Sequence, residues 1–263
     1  MVEGRPAPEG VDPSTPNVAR VYDYMLGGKD NYEVDRQVAQ RMLKVAPDTR
    51  LTAWFCRQFL IKITEIAAEA GVDQYVDLGA GIPTSPAVHE VARKYDADAR
   101  VAFVDYDPVV YAHANAMLAG EVGVTPMLAD VRRIDDLIAR LPAEAGIDFA
   151  RPVAIVIVGV LHYIMDDEGP AEIIARLREA MAPGSYLGVT HASVDTSRAF
   201  VDQVDSVTAG STAQCRYRTA DEVTELLDGF DILAPGIVPL QNWLDDELPA
   251  TGLVLLGGVC RRP

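Results

Sequence analysis

The sequence predicts an α/β protein with a mostly parallel sheet, preceded by a helical segment. Three observations lead to this prediction. Short apolar strands alternate with helical segments after residue 71, which is the pattern of βαβ units. The first 71 residues show helical periodicity and no strand pattern. The length of 263 residues, with 49% hydrophobic and 24% charged residues, suits one globular domain with an extension.

The N-terminal region is predicted to contain an arm and three helices. Residues 1–16 are rich in Pro and Gly, and we expect a flexible arm there. Apolar residues recur at helical spacing over 18–25, and this first helix should stop at Gly27-Gly28. Two further helical patterns follow over 34–42 and 51–70. The predicted organisation is therefore an arm (1–16), a helical extension (17–71) and an α/β domain (72–263).

Seven strands are predicted in the α/β domain. They cover 74–78, 101–105, 125–128, 153–158, 186–191, 232–238 and 253–260. Helix starts are indicated by a capping residue before a proline, at Ser85-Pro86 and Asp107-Pro108, and by the capping box from Thr219 to Glu222. A further helix is expected over 170–181. Ligands of open parallel sheets bind beyond the carboxyl ends of the strands, so the residues there are the candidate site.

The first strand leads into a glycine turn, Asp77-Leu78-Gly79-Ala80-Gly81. Glycines at 79 and 81 allow the backbone to approach a ligand closely, although an ordinary strand-to-helix turn is the alternative interpretation. The dinucleotide fingerprint requires a third glycine at position 84, which is Thr84. An NAD-linked oxidoreductase is therefore disfavoured.

Acidic residues also end the second and third strands. Asp105 lies 24 residues after Gly81, where a carboxylate can accept from both hydroxyls of a ribose, and this disfavours NADP. Asp130 follows 25 residues later. Asp107 is a further candidate, with a helix N-cap as its alternative role. Asp77, Asp105 and Asp130 together indicate a site for a nucleoside with a cationic part.

Five motifs resemble, in order, those of class I S-adenosylmethionine-dependent methyltransferases. They occupy positions 76–81, 104–107, 129–132, 160–163 and 182–187. The segments 13–32 and 77–86 are more narrowly similar to an uncharacterised bacterial family of S-adenosyl methyltransferase-like proteins. This resemblance implies a Rossmann-like seven-stranded sheet whose last strand is antiparallel, with S-adenosylmethionine over the glycine turn. It implies no particular methyl acceptor.

The resemblance also implies roles for individual residues. Gly79 and Gly81 would contact the amino-acid part of the cofactor, and Asp77 would orient its ammonium group. Asp105 would bind the ribose hydroxyls. Asp130 would bind the adenine amino group, with Val131 beside the ring. The sequence departs from the common pattern at Ile82-Pro83, where many methyltransferases have another glycine.

Two histidines are candidate catalytic bases, because an acceptor that loses a proton needs one and neutral imidazole can take it near pH 7. His162 and His191 follow the fourth and fifth strands. A structural role is the alternative for both. His89 and His113 fall inside predicted helices, and we expect them at the surface.

The segment around Gly27-Gly28 is rich in Tyr, Asp, Lys and Asn, as a lid over a pocket would be. We expect Tyr24, Gly28 and Asn31 to contact the cofactor or acceptor. The alternative is a helix-loop-helix that packs on the sheet for stability. The acidic clusters at 166–168 and 245–247 are expected to be solvated loops.

Charge, cysteines and hydropathy limit the partners. A net charge of −16, from 23 basic and 39 acidic residues, disfavours nucleic acid, and no basic run exceeds two residues. Three separated cysteines indicate neither a metal site nor disulfides, and we expect a cytoplasmic protein. The longest apolar stretch, 153–161, is too short to span a membrane. The predicted function is methylation of a small molecule. A non-catalytic cofactor-binding sensor or partner protein is the alternative.

Overall fold

A computed structural model of the chain describes residues 12–202, 214–245 and 247–263. Three helices come first, namely α1 (Val18–Met25), α2 (Glu33–Val45) and α3 (Thr49–Glu69). The α/β region continues with β1 (Gln74–Leu78), α4 (Val88–Ala92), β2 (Arg100–Asp105), α5 (Pro108–Met117), β3 (Val124–Leu128), α6 (Ile134–Ala145), β4 (Ala154–Ile157), α7 (Pro170–Ala180) and β5 (Tyr186–Ala192). It ends with α8 (Ala220–Leu226), β6 (Asp231–Ile232), β7 (Val238–Pro239), α9 (Leu240–Leu244) and β8 (Leu255–Arg261).

The described strands form one sheet in the order β3-β2-β1-β4-β5-β8-β6, and β7 also pairs with β8. Strands β1 to β5 are parallel, whereas β8 is antiparallel to β5. The chain order reverses between β1 and β4, because β1 pairs with β2 on one side and β4 on the other. The carboxyl end of β1 is therefore the position where a ligand of this fold binds.

Alternating side chains of β1 and β2 enter two different hydrophobic cores. Val76 and Val104 belong to a buried cluster that also contains residues of α6, α7 and α8. Tyr75 and Phe103 belong to a second cluster with α3, α4 and α5. The sheet is thus covered by helices on both faces. By the same alternation, Asp77 lies on the α3 face of the sheet.

The N-terminal helices α1 and α2 pack on α3 around a small apolar cluster and a buried ion pair. The Arg20 Nε donates to the Asp35 carboxylate at 2.8 Å, and both side chains are almost inaccessible to solvent. Asp35 also accepts from the backbone N–H groups of Asn17 and Tyr32, at 2.9 and 2.8 Å. This buried pair joins α1 to α2.

The predicted fold class is confirmed, and the predicted 74–78 strand coincides with β1. The predicted strand 232–238 is wrong as a single element: it forms the short strands β6 and β7. Pro235 cannot donate a hydrogen bond to the sheet and Gly236 has a φ of +102°, so the chain turns between β6 and β7. The sheet therefore has eight strands among the described residues, not seven.

Some helix predictions also need correction. Helix α4 does not start at Pro86; it starts at Val88 after Ala87, whose N–H donates to the Glu90 carboxylate at 2.6 Å. The starts of α5 and α8 are confirmed. Helices α6 and α9 were not placed from the sequence. Pro142 interrupts the pattern of α6, and α9 is only five residues long.

The remaining predictions concern surfaces and termini. Residues 1–11 of the predicted arm and Asp246 lie outside the described residues. His89 and His113 are buried, each 7% exposed, because α4 and α5 turn these side chains inward; the predicted surface positions are wrong. No helix in the described ranges has the length and apolar character required to cross a bilayer.

Candidate functional site

The glycine turn follows β1 with both predicted glycines in the left-handed region. Gly79 has a φ of +71° and Gly81 a φ of +65°. A Cβ on Gly79 would lie 2.2 Å from the Val160 side chain, so this glycine permits close packing of the loop after β4. A Cβ on Gly81 would meet no atom within 4 Å. The open space needed for a ligand is therefore at Gly81, whereas a glycine is needed at position 79 so that the Val160 side chain can pack there.

The Asp105 carboxylate lies at the end of β2 and holds the two neighbouring loops. One oxygen accepts from the Gly81 N–H at 2.9 Å, and the other accepts from the Asp107 N–H at 3.0 Å. Burial raises the pKa of Asp105, and these backbone donors oppose the rise. The carboxylate retains further lone pairs, so it can also accept from hydroxyl groups of a ligand.

Asp77 is a buried carboxyl without a hydrogen-bond donor. Its side chain is 4% exposed, and no described residue donates a hydrogen bond to it. Burial raises the pKa of Asp77 to about 7, the positive charge of Arg57 lowers it, and Asp105 raises it. Buried carboxylates normally have partners, so this group fits a cationic ligand such as an ammonium.

Asp107 is the N-cap of α5, which confirms the alternative role stated for it. Its carboxylate accepts from the Val109 N–H at 2.8 Å and from the side-chain amide of Asn17. The second contact ties the N-terminal helices to the loop after β2. A contact between Asp107 and the cofactor stays a prediction.

Asp130 lies after β3 and is paired with Arg132. It accepts from the Arg132 backbone N–H at 3.0 Å and from the guanidinium at 2.7–3.0 Å. Although burial alone would raise it, these hydrogen bonds hold the pKa of Asp130 below its usual value. Arg132 also stacks on the exposed Tyr106 ring, 5.5 Å from its centroid, and Val131 packs against the adjoining core. Asp130 is thus ionised and oriented, with an aromatic ring beside it.

These residues surround an open turn at the carboxyl end of β1, where the strand order of the sheet reverses. Comparison with known proteins identifies the family of the chain. Residues 5–263 match the family model described as S-adenosyl methyltransferase. The chain belongs to this family. No protein of curated function matches it.

Solved structures agree with this assignment. A crystal structure from Thermobifida fusca YX, provisionally assigned as a methyltransferase, is 35% identical with a TM-score of 0.87 over 97% of each chain. A DUF574 family protein from Streptomyces avermitilis MA-4680 is 30% identical with a TM-score of 0.87, over 96% of this chain and 99% of that one.

A more distant structure shows the fold alone. An N-methyltransferase of Bradyrhizobium japonicum WM9 in complex with S-adenosyl-L-homocysteine is 14% identical, with a TM-score of 0.53 over 93% of this chain and 99% of that one. The predicted family, the enzyme class and the cofactor S-adenosylmethionine are confirmed.

The two predicted bases of the methyltransferase have different surroundings. His191 accepts from Arg218 at Nε2, at 2.6 Å, and its Nδ1–H donates to the Ala192 carbonyl at 2.9 Å. A guanidinium can only donate, so the tautomer follows from this contact. Burial lowers the pKa of His191 to about 4. Both ring nitrogens are occupied, and this geometry favours the structural role for His191.

His162 lies in the short 3₁₀ helix Leu161–Tyr163 after β4. It is buried, and its Nδ1 has no hydrogen-bond partner among the described residues. Burial, together with the nearby His191, lowers the pKa of His162 to about 3. The ring is therefore neutral at pH 7 and has an uncommitted nitrogen, but it is a weaker base than a free imidazole. Its role as a base stays a prediction.

The predicted lid residues make their contacts within the N-terminal helices of the methyltransferase. Asn31 donates to the Asp23 carboxylate at 2.8 Å, and a Cβ on Gly28 would lie 2.0 Å from the same carboxylate. Tyr24 packs under Arg50, 5.3 Å from ring centroid to guanidinium. These contacts favour the helix-loop-helix alternative. Contact of Tyr24, Gly28 or Asn31 with the cofactor stays a prediction.

Part of the acidic cluster at 166–168 is not a solvated loop. It forms a 3₁₀ helix, in which Asp166 pairs with Arg216 and Arg218 and Glu168 pairs with Arg132 at 3.0 Å. The prediction was wrong because each arginine comes from a distant part of the sequence. Asp245 and Glu247 are exposed as expected.

Sequence reasoning missed a cluster of four residues from α1, α3 and the loop after β4, one of which, Arg57, acts electrostatically on Asp77. They are Tyr22, Cys56, Arg57 and Tyr163. The Tyr22 hydroxyl donates to the Ala53 carbonyl at 3.0 Å and lies within hydrogen-bonding reach of the Cys56 thiol. For Tyr22, Cys56 and Arg57 the sequence signal is helical periodicity, which does not indicate that α1 and α3 meet each other and the segment after β4.

Proposed function

We propose that this methyltransferase transfers the methyl group of S-adenosylmethionine to a small, uncharged acceptor. The observation that carries the proposal is the buried Asp77 carboxyl, which lacks a donor and lies beside the open turn at Gly81 and the oriented carboxylate of Asp105. These three features match the ammonium, the amino-acid chain and the ribose of the cofactor. No observation favours the non-catalytic alternative.

In this proposal the protein residues hold and orient the cofactor. Asp105 accepts from the ribose hydroxyls, Asp77 pairs with the ammonium, and Asp130 accepts from the adenine amino group beside Val131. When bound, S-adenosylmethionine supplies an electrophilic methyl group on a sulfonium. The main task of the protein is then to align the acceptor with the methyl–sulfur bond and to exclude water.

The proposed acceptor end lies beside Tyr22, Cys56 and Tyr163. Burial raises the pKa of the Tyr22 and Tyr163 hydroxyls, and it raises the pKa of the Cys56 thiol to about 12. All three groups are therefore neutral at pH 7. Such a wall does not compensate a charge on the acceptor, which supports an uncharged substrate. His162, with its free Nδ1, is the candidate that receives the acceptor's proton.

The surroundings in the cell are also part of the proposal. We expect a reducing, cytoplasmic location, since Cys56, Cys215 and Cys260 are free thiols. The acidic charge of −16 argues against nucleic acid as the acceptor. We propose residues 72–263 as the catalytic domain and 17–71 as its helical extension.

Labelled S-adenosylmethionine incubated with the protein and a fractionated pool of small metabolites tests the function. We expect label in a neutral metabolite, and loss of transfer in Asp105→Ala. Asp136→Ala, an exposed carboxylate on α6, is the matched control and should retain transfer. A wild-type protein that binds the cofactor tightly but labels no small molecule from any pool would contradict the proposed acceptor class.

A further inference from the structure

Arg57 is a cation on α3 that extends over the loop after the glycine turn. Its guanidinium donates to the Thr84 and Pro86 carbonyl oxygens. Its Nε–H is buried and has no hydrogen-bond partner in the described parts of the chain. Buried N–H groups are almost always paired, so this donor is a position at which a ligand can supply an acceptor.

Among the charges around Arg57, Asp77 has the strongest electrostatic effect on it. The two groups attract each other electrostatically, since Arg57 lowers the pKa of Asp77 and Asp77 raises that of Arg57. They nevertheless form no ion pair within 4.0 Å. A cation and a carboxyl that face the same site without touching are complementary to a ligand with both charges, as in an α-amino acid.

Other polar groups around Arg57 do not use its free donor. Glu90 is engaged with the Ala87 N–H at 2.6 Å and the Ser85 hydroxyl at 3.1 Å. Tyr22 donates to the Ala53 carbonyl. The Arg57 Nε–H thus stays available for a ligand.

We propose that Arg57 binds the carboxylate of the cofactor's amino-acid part, opposite Asp77, which binds the ammonium. The inference rests on the proposed cofactor site and adds a residue to it. Arginine suits this position because its planar group donates in several directions, so it can hold the Thr84–Pro86 loop and a carboxylate at once. The pair makes the enzyme selective for ligands that carry the complete amino-acid part.

Binding calorimetry with two ligands tests the role of Arg57. S-adenosylhomocysteine has the amino-acid part, and 5′-methylthioadenosine has the same nucleoside and sulfur without it. For Arg57→Gln we expect at least about tenfold weaker binding of S-adenosylhomocysteine, as for loss of a charge-assisted contact, and an affinity for methylthioadenosine within about twofold of wild type. Lys62→Gln, an exposed residue of the same helix, should change neither affinity.

Other outcomes overturn the inference. An unchanged affinity of Arg57→Gln for S-adenosylhomocysteine would show that the carboxylate is bound elsewhere. Equal weakening for both ligands would show that Arg57 acts only by anchoring the loop at Thr84 and Pro86. A wild-type protein that binds neither ligand would overturn the proposed cofactor site together with this inference.

A second measurement avoids any folding defect of the variant. Wild-type protein is titrated with S-adenosylhomocysteine carboxamide, in which the carboxylate is replaced by a neutral group of similar size. We expect about tenfold weaker binding than for S-adenosylhomocysteine, because the amide does not pair with a cation. Equal affinity for the acid and the amide would refute carboxylate recognition while leaving the proposed methyl transfer intact.

Discussion

The side-chain amide of Asn17 donates to the carboxylate of Asp107, and this contact joins the N-terminal helices to the loop that follows β2. Asn17 is also the N-cap of α1, through its Oδ1, and Asp107 is the N-cap of α5. The Asp107 N–H in turn donates to Asp105. The helical extension therefore supports the proposed ribose site through one polar chain of contacts.

Replacing Asn17 with Asp tests this support. Asp is as good an N-cap as Asn, so α1 should persist, but its carboxylate would repel Asp107. We expect Asn17→Asp to weaken S-adenosylhomocysteine binding by about 3–10-fold, from loss of a hydrogen bond with a charged partner. Calorimetry measures the affinity, and circular dichroism checks the helix content. An affinity equal to wild type would show that the two caps act independently.

Asp77 should make cofactor binding depend on pH. Its pKa of about 7 in the folded protein means that the carboxyl is mostly protonated below pH 7. This proton must be lost before the carboxylate can pair with an ammonium. The affinity for S-adenosylhomocysteine should therefore rise as the pH increases to about 7, by up to about tenfold per unit, and level off above it. Asp77→Asn should bind weakly with a flat profile. A flat profile for the wild type would contradict the assignment.

The same group has the opposite effect on the stability of the free protein. Asp77 titrates near 3.8 when unfolded and near 7 when folded, so the folded state holds more protons between these values. Its contribution to the free energy of unfolding should fall as the pH rises from about 4 to about 7. Chemical denaturation of wild type and Asp77→Asn across this range measures the difference, which should grow in favour of the variant. A constant difference would contradict the raised pKa.

The buried pair of Arg20 and Asp35 should dominate the stability of the N-terminal helices. Arg20→Met leaves Asp35 buried without its cation, and we expect a loss of about 3–5 kcal/mol in the free energy of unfolding. Arg176→Met breaks an exposed pair with Asp135 and should cost less than about 1 kcal/mol. Denaturant titration compares the two variants. Equal small effects would mean that Asp35 is stabilised by its backbone donors alone.

Substitution of His162 should affect catalysis, whereas substitution of His191 should affect stability. His162→Gln should lower kcat by about 10²-fold or more and leave S-adenosylhomocysteine affinity unchanged, as expected for loss of a base. His191→Leu removes the acceptor of a buried Arg218 donor and should lower stability by about 1–3 kcal/mol. Single-turnover kinetics and thermal denaturation on both variants distinguish these roles. A fully active His162→Gln would remove it as the base.

The sequence was sufficient for the elements whose signals are local. Strand β1 is a buried apolar run between a helix-ending glycine and a glycine turn, so its bounds and the positions of Gly79 and Gly81 could be predicted. Asp105 followed from the spacing of one βαβ unit. These features depend on chain geometry that neighbouring residues determine.

The features that could not be predicted depend on contacts between distant segments. Arg57 reaches the loop at Thr84 and Pro86 from a helix that lies before the first strand. Arg132 pairs with Glu168, and Arg218 with His191, across 36 and 27 residues. Apolar periodicity indicates which face of a helix is buried, but it does not indicate what that face meets.

The carboxylate of Asp105 holds the backbone of Gly81 and Asp107 before any ligand arrives. The loops on either side of the proposed ribose site have therefore already lost their conformational freedom during folding. Little ordering entropy remains to be lost on association, so the nucleoside part should bind to a rigid surface. Because the loops of the proposed ribose site are ordered during folding, the binding energy of the nucleoside should remain available to position the sulfonium for transfer.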